Sequence, residues 1–307
     1  MIALKQGLIA WWRLSRVPFL SVGVLPLILG FVLAWRWGYG GNFKLYGLAG
    51  IAVILIMEMT YYIGEWNDLQ GDRLNDTFNS FSGGSRVLVE GTLPPWVPLL
   101  LGYLCLAVAL LIGLIIFFRY GTGPWTLPLG TIGIVSGFFY SNGPFRWAHR
   151  GVGEVLIGIC YSWLPIATGF YLFTGFFSHQ IILLSIPIGL SIFNLILINE
   201  FADEEPDRAV GKRNLLVRFG KERMADLSLG VSVLIGLSLV KVISTLSPAP
   251  FWLYCLSGIP LLLLVWNMIQ VWREKYWNLR TLESLCRNSL MINLSITMIL
   301  TLQLTLR

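Results

Sequence analysis

Apolar residues fall along this chain in long blocks, not in the alternation of a half-buried strand. Runs long enough to cross a bilayer as helices lie at 17–35, 44–66, 95–118, 124–141, 152–175, 180–199, 225–245, 250–271 and 288–305. The pattern predicts nine transmembrane helices, of which 124–141 is short and glycine-rich. The segment leading into the first run, "IAWWRLSRVP", is basic and rich in tryptophan, with no small-residue cleavage site. It reads as the start of a retained helix, not a signal peptide.

Composition agrees with the blocks. Of 307 residues 56% are hydrophobic and 12% charged, about half the charged share of a soluble domain. The expected fold class is an all-α polytopic membrane protein, one domain over residues 1–307. If the N-terminus is cytoplasmic, nine spans place seventeen Lys and Arg in inner segments. Five (Arg36, Lys44, Arg119, Lys241 and Arg307) lie outside or near that face, which accounts for all 22. This asymmetry predicts a multi-pass protein with its long polar loops in the cytoplasm, in the cell inner membrane if the source is bacterial. It also accounts for the net charge of +6, so no nucleic-acid partner is expected. Cys105, Cys160, Cys255 and Cys286 are scattered without a C-x-x-C pair, which argues against a disulfide framework or a zinc site.

Two inner loops break the apolar pattern in the same way. After the second run comes "YYIGEWNDLQGDRLNDTF" (61–78), and after the sixth "NEFADEEPDRAVGKRNLLVRFG" (199–220). Offset by 131 residues, Asp68, Asp72 and Asp76 align with Asn199, Asp203 and Asp207. Both sets step by four, which stacks side chains on one face of a helix, about 5.4 Å apart along its axis. Like charges at that spacing repel, so helix stability alone does not select them. Each set is followed by a glycine-flanked basic segment, "GSRVLVEG" (84–91) and "GKRNLLVRFG" (211–220). The chain therefore reads as a diverged internal repeat with acidic sites at equivalent helix ends, facing each other. Such a pair suits Mg²⁺, which takes one or two carboxylates and leaves other positions to water and phosphate. Arg86, Lys212, Arg213 and Arg218 suit the remaining phosphate oxygens.

With these motifs the sequence resembles the UbiA superfamily of intramembrane prenyltransferases. The family pattern N-D-x-x-D-x-x-x-D is met by Asn199, Asp203 and Asp207, with Glu200 for one Asp. The first set departs from it. Starting at "ND" (67–68) would put Gly71 at an aspartate position; sliding by one puts Asp68 where the family has Asn and Leu69 where it has Asp, and keeps Asp72 and Asp76. "GGSRVLVEG" (83–91) and "YSNGPFRWAHRGVGE" (140–154) are similar to the 1,4-dihydroxy-2-naphthoate branch, which makes menaquinone and phylloquinone precursors.

The resemblance implies nine helices around a central cavity and Mg²⁺-dependent transfer of a polyprenyl group from its diphosphate to an aromatic acceptor. In the naphthoate branch it also implies loss of the acceptor's carboxylate as carbon dioxide. It implies metal binding by Asp68, Asp72, Asp76, Asn199, Asp203 and Asp207, with Asp72, Asp203 and Tyr140 closest to the chemistry. Glu58, Glu65, Asn67, Arg146 and Glu154 are candidates for orienting the acceptor or bonding the groups that do. His149 and His179 have no partner pattern and are not expected to be catalytic. Two alternatives remain at this level. The same fold could serve another acceptor (a hydroxybenzoate, homogentisate, haem or chlorophyll precursor) or cyclise its substrate. Duplicated acidic sites could also belong to a cation transporter, although the flanking arginines would repel cations.

Overall fold

A computed structural model describes residues 2–246 and 250–306; Arg307, counted above, lies outside the described residues. Twelve α-helices follow one another among these residues: α1 (Ile2–Leu14), α2 (Val17–Arg36), α3 (Phe43–Leu74), α4 (Trp96–Tyr120), α5 (Thr126–Ser141), α6 (Gly153–Cys160), α7 (Trp163–Thr174), α8 (His179–Asn199), α9 (Glu204–Ala209), α10 (Leu215–Thr245), α11 (Phe251–Trp272) and α12 (Leu279–Thr305). No strand is present among them. Eight spans have the length and apolarity to cross a bilayer, with α6 and α7 together counting as one. The shorter α5, 16 residues long, takes the place of the fourth predicted span, 124–141, and brings the total to nine.

The helix ends have local causes. Asn42 caps α3 by accepting from Leu45 N at 3.2 Å, and Asn214 caps α10 by accepting from Val217 N at 2.9 Å. The predicted run 152–175 is broken between α6 and α7. Pro165 lies four residues past Tyr161, and in a continuous helix its ring would collide with the Tyr161 carbonyl. The seventh predicted span starts earlier than its apolar run, because Gly220 (φ 80, ψ 163) kinks α10 and lets a polar first segment join it.

The innermost core joins α2, α7, α8, α10 and α12 through residues such as Leu33, Phe170, Leu184, Leu239 and Leu300. Where α2 crosses α7 the backbones touch: a Cβ on Gly30 would overlap the Ile166 carbonyl oxygen, and one on Gly169 the Leu27 oxygen. Buried amides tie the second half together, with Asn293 Nδ2 donating to Ser191 Oγ at 2.8 Å and Asn194 Nδ2 to Ser232 Oγ at 3.1 Å. Leucines such as Leu104, Leu111 and Leu262 stay exposed on the outer faces, as a lipid solvent permits. The protein is an integral, multi-pass membrane protein.

Candidate active site

α3 continues two turns past its apolar run and carries Asp68 and Asp72 into its last turns. A helix C-terminus presents carbonyl oxygens and a partial negative charge, so carboxylates there are destabilised unless a cation joins them. The helix stops at Leu74, and Asn75 turns to extended geometry (φ −84, ψ 101). The expected stack of three therefore does not form. Asp76 lies beyond the helix end, exposed to solvent, and does not line the cavity described below. Asn75, 2% exposed, stands on the inner side instead, with Nδ2 donating to Asp203 Oδ1 at 2.5 Å.

The second acidic set departs from a single helix as well. α8 ends at Asn199, a 3₁₀ turn covers Glu200–Ala202, and α9 follows. Asn199, Asp203 and Asp207 nevertheless reach one cavity together with Asp68 and Asp72. Thr77 Oγ1 bonds the Ala202 carbonyl at 2.7 Å and, with Asn75, ties the two acidic loops together.

The cavity has a volume of about 580 Å³. Its lining follows α3 from Asp72 to Ala49, which at 1.5 Å per residue is about 35 Å. The far part is apolar, with Val53, Ile56, Leu114, Leu129 and Leu172. The near end is charged, with six carboxylates (Glu65, Asp68, Asp72, Glu200, Asp203, Asp207) against two cations (Arg16, Lys212). Lys212 Nζ sits between the motifs, 3.1 Å from Asp68 Oδ1 and 2.9 Å from Asp207 Oδ1. Burial alone would lower its pKa, but these two carboxylates outweigh it and hold the ammonium well above its usual value. Asp203 has no ion-pair partner within 4 Å among the described residues: burial first, then Asp207, push its carboxyl up to about 8.

Such an excess of acid calls for a divalent cation. Among the described residues no group of three or more His, Cys, Asp or Glu closes on a metal unaided. Mg²⁺ does not need one, because water and substrate phosphate complete its shell. The buried oxygens Asn199 Oδ1 and Glu200 Oε2 have no hydrogen-bond partner among the described residues, as fits ligands to an ion or its waters. The residues present fit the metal.

Other candidates lie elsewhere. Arg86, expected at phosphate, adopts a left-handed backbone (φ 64), donates to the Asp72 carbonyl and stacks on Phe78 at 4.2 Å. It closes the C-terminus of α3. Beside it Gly84 (φ 69) packs so tightly on the Asp72 carboxylate that a Cβ would overlap it. Arg218 donates to the Arg213 and Arg150 carbonyls at 2.6 and 2.8 Å, and Arg213 and Arg146 are exposed. None of these four arginines lines the cavity. Arg86 and Arg218 are taken up by backbone carbonyls that a helix end or loop leaves bare, while Arg213 and Arg146 lie in solvent.

Tyr140 does line the cavity, as do Tyr61 and Tyr161. Asn67 bonds the Ile63 carbonyl, Glu154 accepts from Leu215 N at 2.7 Å, and Glu58 is buried beside Tyr62 and Ser15, which share a hydrogen bond at 2.7 Å. His149 Nε2 lies 3.9 Å from Asp68 Oδ1; burial, then Lys212, lower its pKa. The sequence reading did not single out Asn75, Asn214 or Arg16 as site residues. Asn214 Nδ2 donates to Asp207 Oδ2 at 2.9 Å. An Asn three residues after Asp72 and another seven after Asp207 were the only signal available for the first two.

Comparisons with known proteins agree with this fold. The chain is 26% identical over 243 residues to a 1,4-dihydroxy-2-naphthoate octaprenyltransferase of Bacillus subtilis, covering 79% of this chain and 76% of that one. It is 27% identical over 260 residues to a 2-carboxy-1,4-naphthoquinone phytyltransferase of Synechocystis, with the same coverage. Its fold matches that of a UbiA homologue from Aeropyrum pernix (TM-score 0.68, 15% identity, 92% of this chain and 96% of that one). It also matches a UbiA homologue from Archaeoglobus fulgidus bound to DMAPP and Mg²⁺ (TM-score 0.60, 17% identity, 94% and 99%). Residues 23–282 match the UbiA prenyltransferase family, and the chain belongs to that family: it is a membrane-embedded prenyltransferase.

Proposed function

We propose that the chain transfers a polyprenyl group to 1,4-dihydroxy-2-naphthoate, with Mg²⁺ at the acidic end of the cavity and that end facing the cytoplasm. The observation that carries the reading is the meeting of two acidic loops at the mouth of one long apolar cavity. The naphthoate relatives support the acceptor.

The prenyl C–O bond breaks with its electron pair going to diphosphate. The ring carbon bearing the carboxylate bonds the prenyl carbon. The carboxylate bond then breaks, its pair restores the ring, and carbon dioxide leaves, so no base is needed. Bound Mg²⁺ supplies Lewis-acid stabilisation of charge on the diphosphate oxygens. Asp68, Asp72, Asn199, Asp203 and Asp207 would hold it, while Asp76 faces solvent. Lys212 is ion-paired with Asp68 and Asp207, and its ammonium, with three N–H donors, can also serve a phosphate oxygen. The apolar wall keeps water from the allylic cation, and Tyr140 and Tyr161 supply aromatic surface that can stabilise it.

The test is to incubate membranes with Mg²⁺, labelled geranylgeranyl diphosphate and a panel of aromatic acids, and to identify products by mass. A decarboxylated, prenylated naphthalenediol is expected; product from another acceptor alone would overturn the naphthoate assignment. For topology, single cysteines at positions 80 and 210, in a cysteine-free background, should react with thiol reagents from the cytoplasmic side only. Labelling from outside would reverse the orientation.

A further inference from the structure

Arg16 entered the sequence reading only as one of the inner positive charges, yet its side chain lines the cavity. It stands just before α2 in a left-handed backbone (φ 43, ψ 40). A non-glycine residue keeps that conformation only where its surroundings dictate it, and such residues gather at functional sites. The surroundings here are specific. Arg16 Nη2 donates to Glu65 Oε1 at 3.1 Å. Glu65, 3% exposed, is locked in turn by Ser85, whose N and Oγ donate to its two oxygens at 2.7 and 2.8 Å.

That single bond leaves most of the fork unused. Arg16 Nε and Nη1 have no hydrogen-bond partner among the described residues, and the side chain is 32% exposed. A guanidinium carries five N–H donors in one plane and matches a carboxylate with two of them. The walls around it are aromatic. Its centre lies 6.0 Å from the Tyr61 ring, and Phe19, Phe81 and Tyr161 line the same cavity. Phe19 and Phe81 meet edge to face at 5.7 Å. Lys212, the other cation of the cavity, lies against Asp68 and Asp207, on the acidic loops.

We infer that Arg16, positioned by Glu65 and Ser85, binds the carboxylate of the aromatic acceptor, whose ring lies against Tyr61, Phe19, Phe81 and Tyr161. A flat aromatic acid meets both features at once, the free guanidinium edge with its carboxylate and the aromatic walls with its ring. The inference rests on transfer to an acid-bearing acceptor but not on that acid being a naphthoate. Arg16 thereby selects acids over their decarboxylated analogues.

The test uses the full-length protein in proteoliposomes, as wild type, Arg16→Ala and Arg16→Lys. Matched pairs of ring compounds with and without the carboxylate serve as ligands: 1-hydroxy-2-naphthoate and 1-naphthol, 4-hydroxybenzoate and phenol. Each is measured as a substrate or as a competitor of the acceptor that wild type turns over. Affinity for geranylgeranyl diphosphate with Mg²⁺ is measured alongside and also reports intact folding. Removing a charge-assisted bond should weaken the acid of the preferred pair about ten- to a hundredfold in Arg16→Ala. Binding of its carboxylate-free partner and of the diphosphate should change less than about twofold, and Arg16→Lys should recover part of the loss. Equal loss for acid and carboxylate-free partner would overturn the inference, as would a loss confined to the diphosphate. If wild type prefers the benzoate pair, the naphthoate assignment falls, while the Arg16 inference is still decided by the ratio within that pair.

Discussion

Asn75→Ala removes the hydrogen bond between the two acidic loops. In the structure Asn75 Nδ2 donates to Asp203 Oδ1 at 2.5 Å, and Asn75 Oδ1 accepts from Thr77 N at 2.9 Å and Thr77 Oγ1 at 3.2 Å. A hydrogen bond to a charged group contributes about 1.5–3 kcal/mol. If all of it holds Asp203 in its working position, turnover falls about ten- to 150-fold. The fold should survive, because Thr77 Oγ1 still reaches the Ala202 carbonyl at 2.7 Å. The assay is prenyl transfer across a Mg²⁺ titration, with thermal unfolding beside it. The expected result is a higher half-saturating Mg²⁺ and lower turnover, with little change in unfolding temperature. Thr77→Val, which cuts the other tie, should lose less activity because it leaves Asp203 bonded. Wild-type turnover at an unchanged Mg²⁺ requirement in Asn75→Ala would refute the reasoning.

Asp72→Asn should lose two or more powers of ten in rate, about 3 kcal/mol, while Asp68→Asn keeps substantially more activity, since a carboxamide oxygen can still ligate; the reverse order in a turnover assay would place the motif one residue earlier. Arg86→Ala should lower the unfolding temperature, about 1–2 kcal/mol for a capping bond and its stacking, and leave prenyl diphosphate affinity within about threefold; a large affinity loss with unchanged stability would return Arg86 to the phosphate. Asp203 is held at about 8 in the metal-free protein, so at neutral pH Mg²⁺ must displace its proton. Mg²⁺ affinity should therefore rise as pH goes from 6 to 8 and level off above, with protons released on binding; calorimetry in buffers of different ionisation enthalpy measures this release, and its absence at pH 7 would contradict the assignment.

The helical spans, the acidic loops and the family were legible in the sequence because each rests on local pattern: apolar run length, spacing of four, and a motif with its glycines. Lipid makes that legibility stronger than in a soluble protein, since every backbone group must bond within its own helix. What the sequence could not show was where helices stop under competing demands. Asp76 continues the spacing perfectly, yet α3 ends at Leu74 and hands the inward position to Asn75. Arg86, Arg213 and Arg218 look like phosphate ligands by charge and proximity, yet two of them bond carbonyls that a terminating helix or loop leaves bare and the third points to solvent. Arg16 looks like an ordinary inner-face charge, and only the packing of α1 and α2 on α3 sets it beside Glu65 within the cavity. Pattern along the chain determines which segments are helices and which carry charge. Which charges meet is decided by packing between segments far apart in sequence, where desolvation and the shortage of hydrogen-bond partners choose among groups that the sequence leaves equivalent.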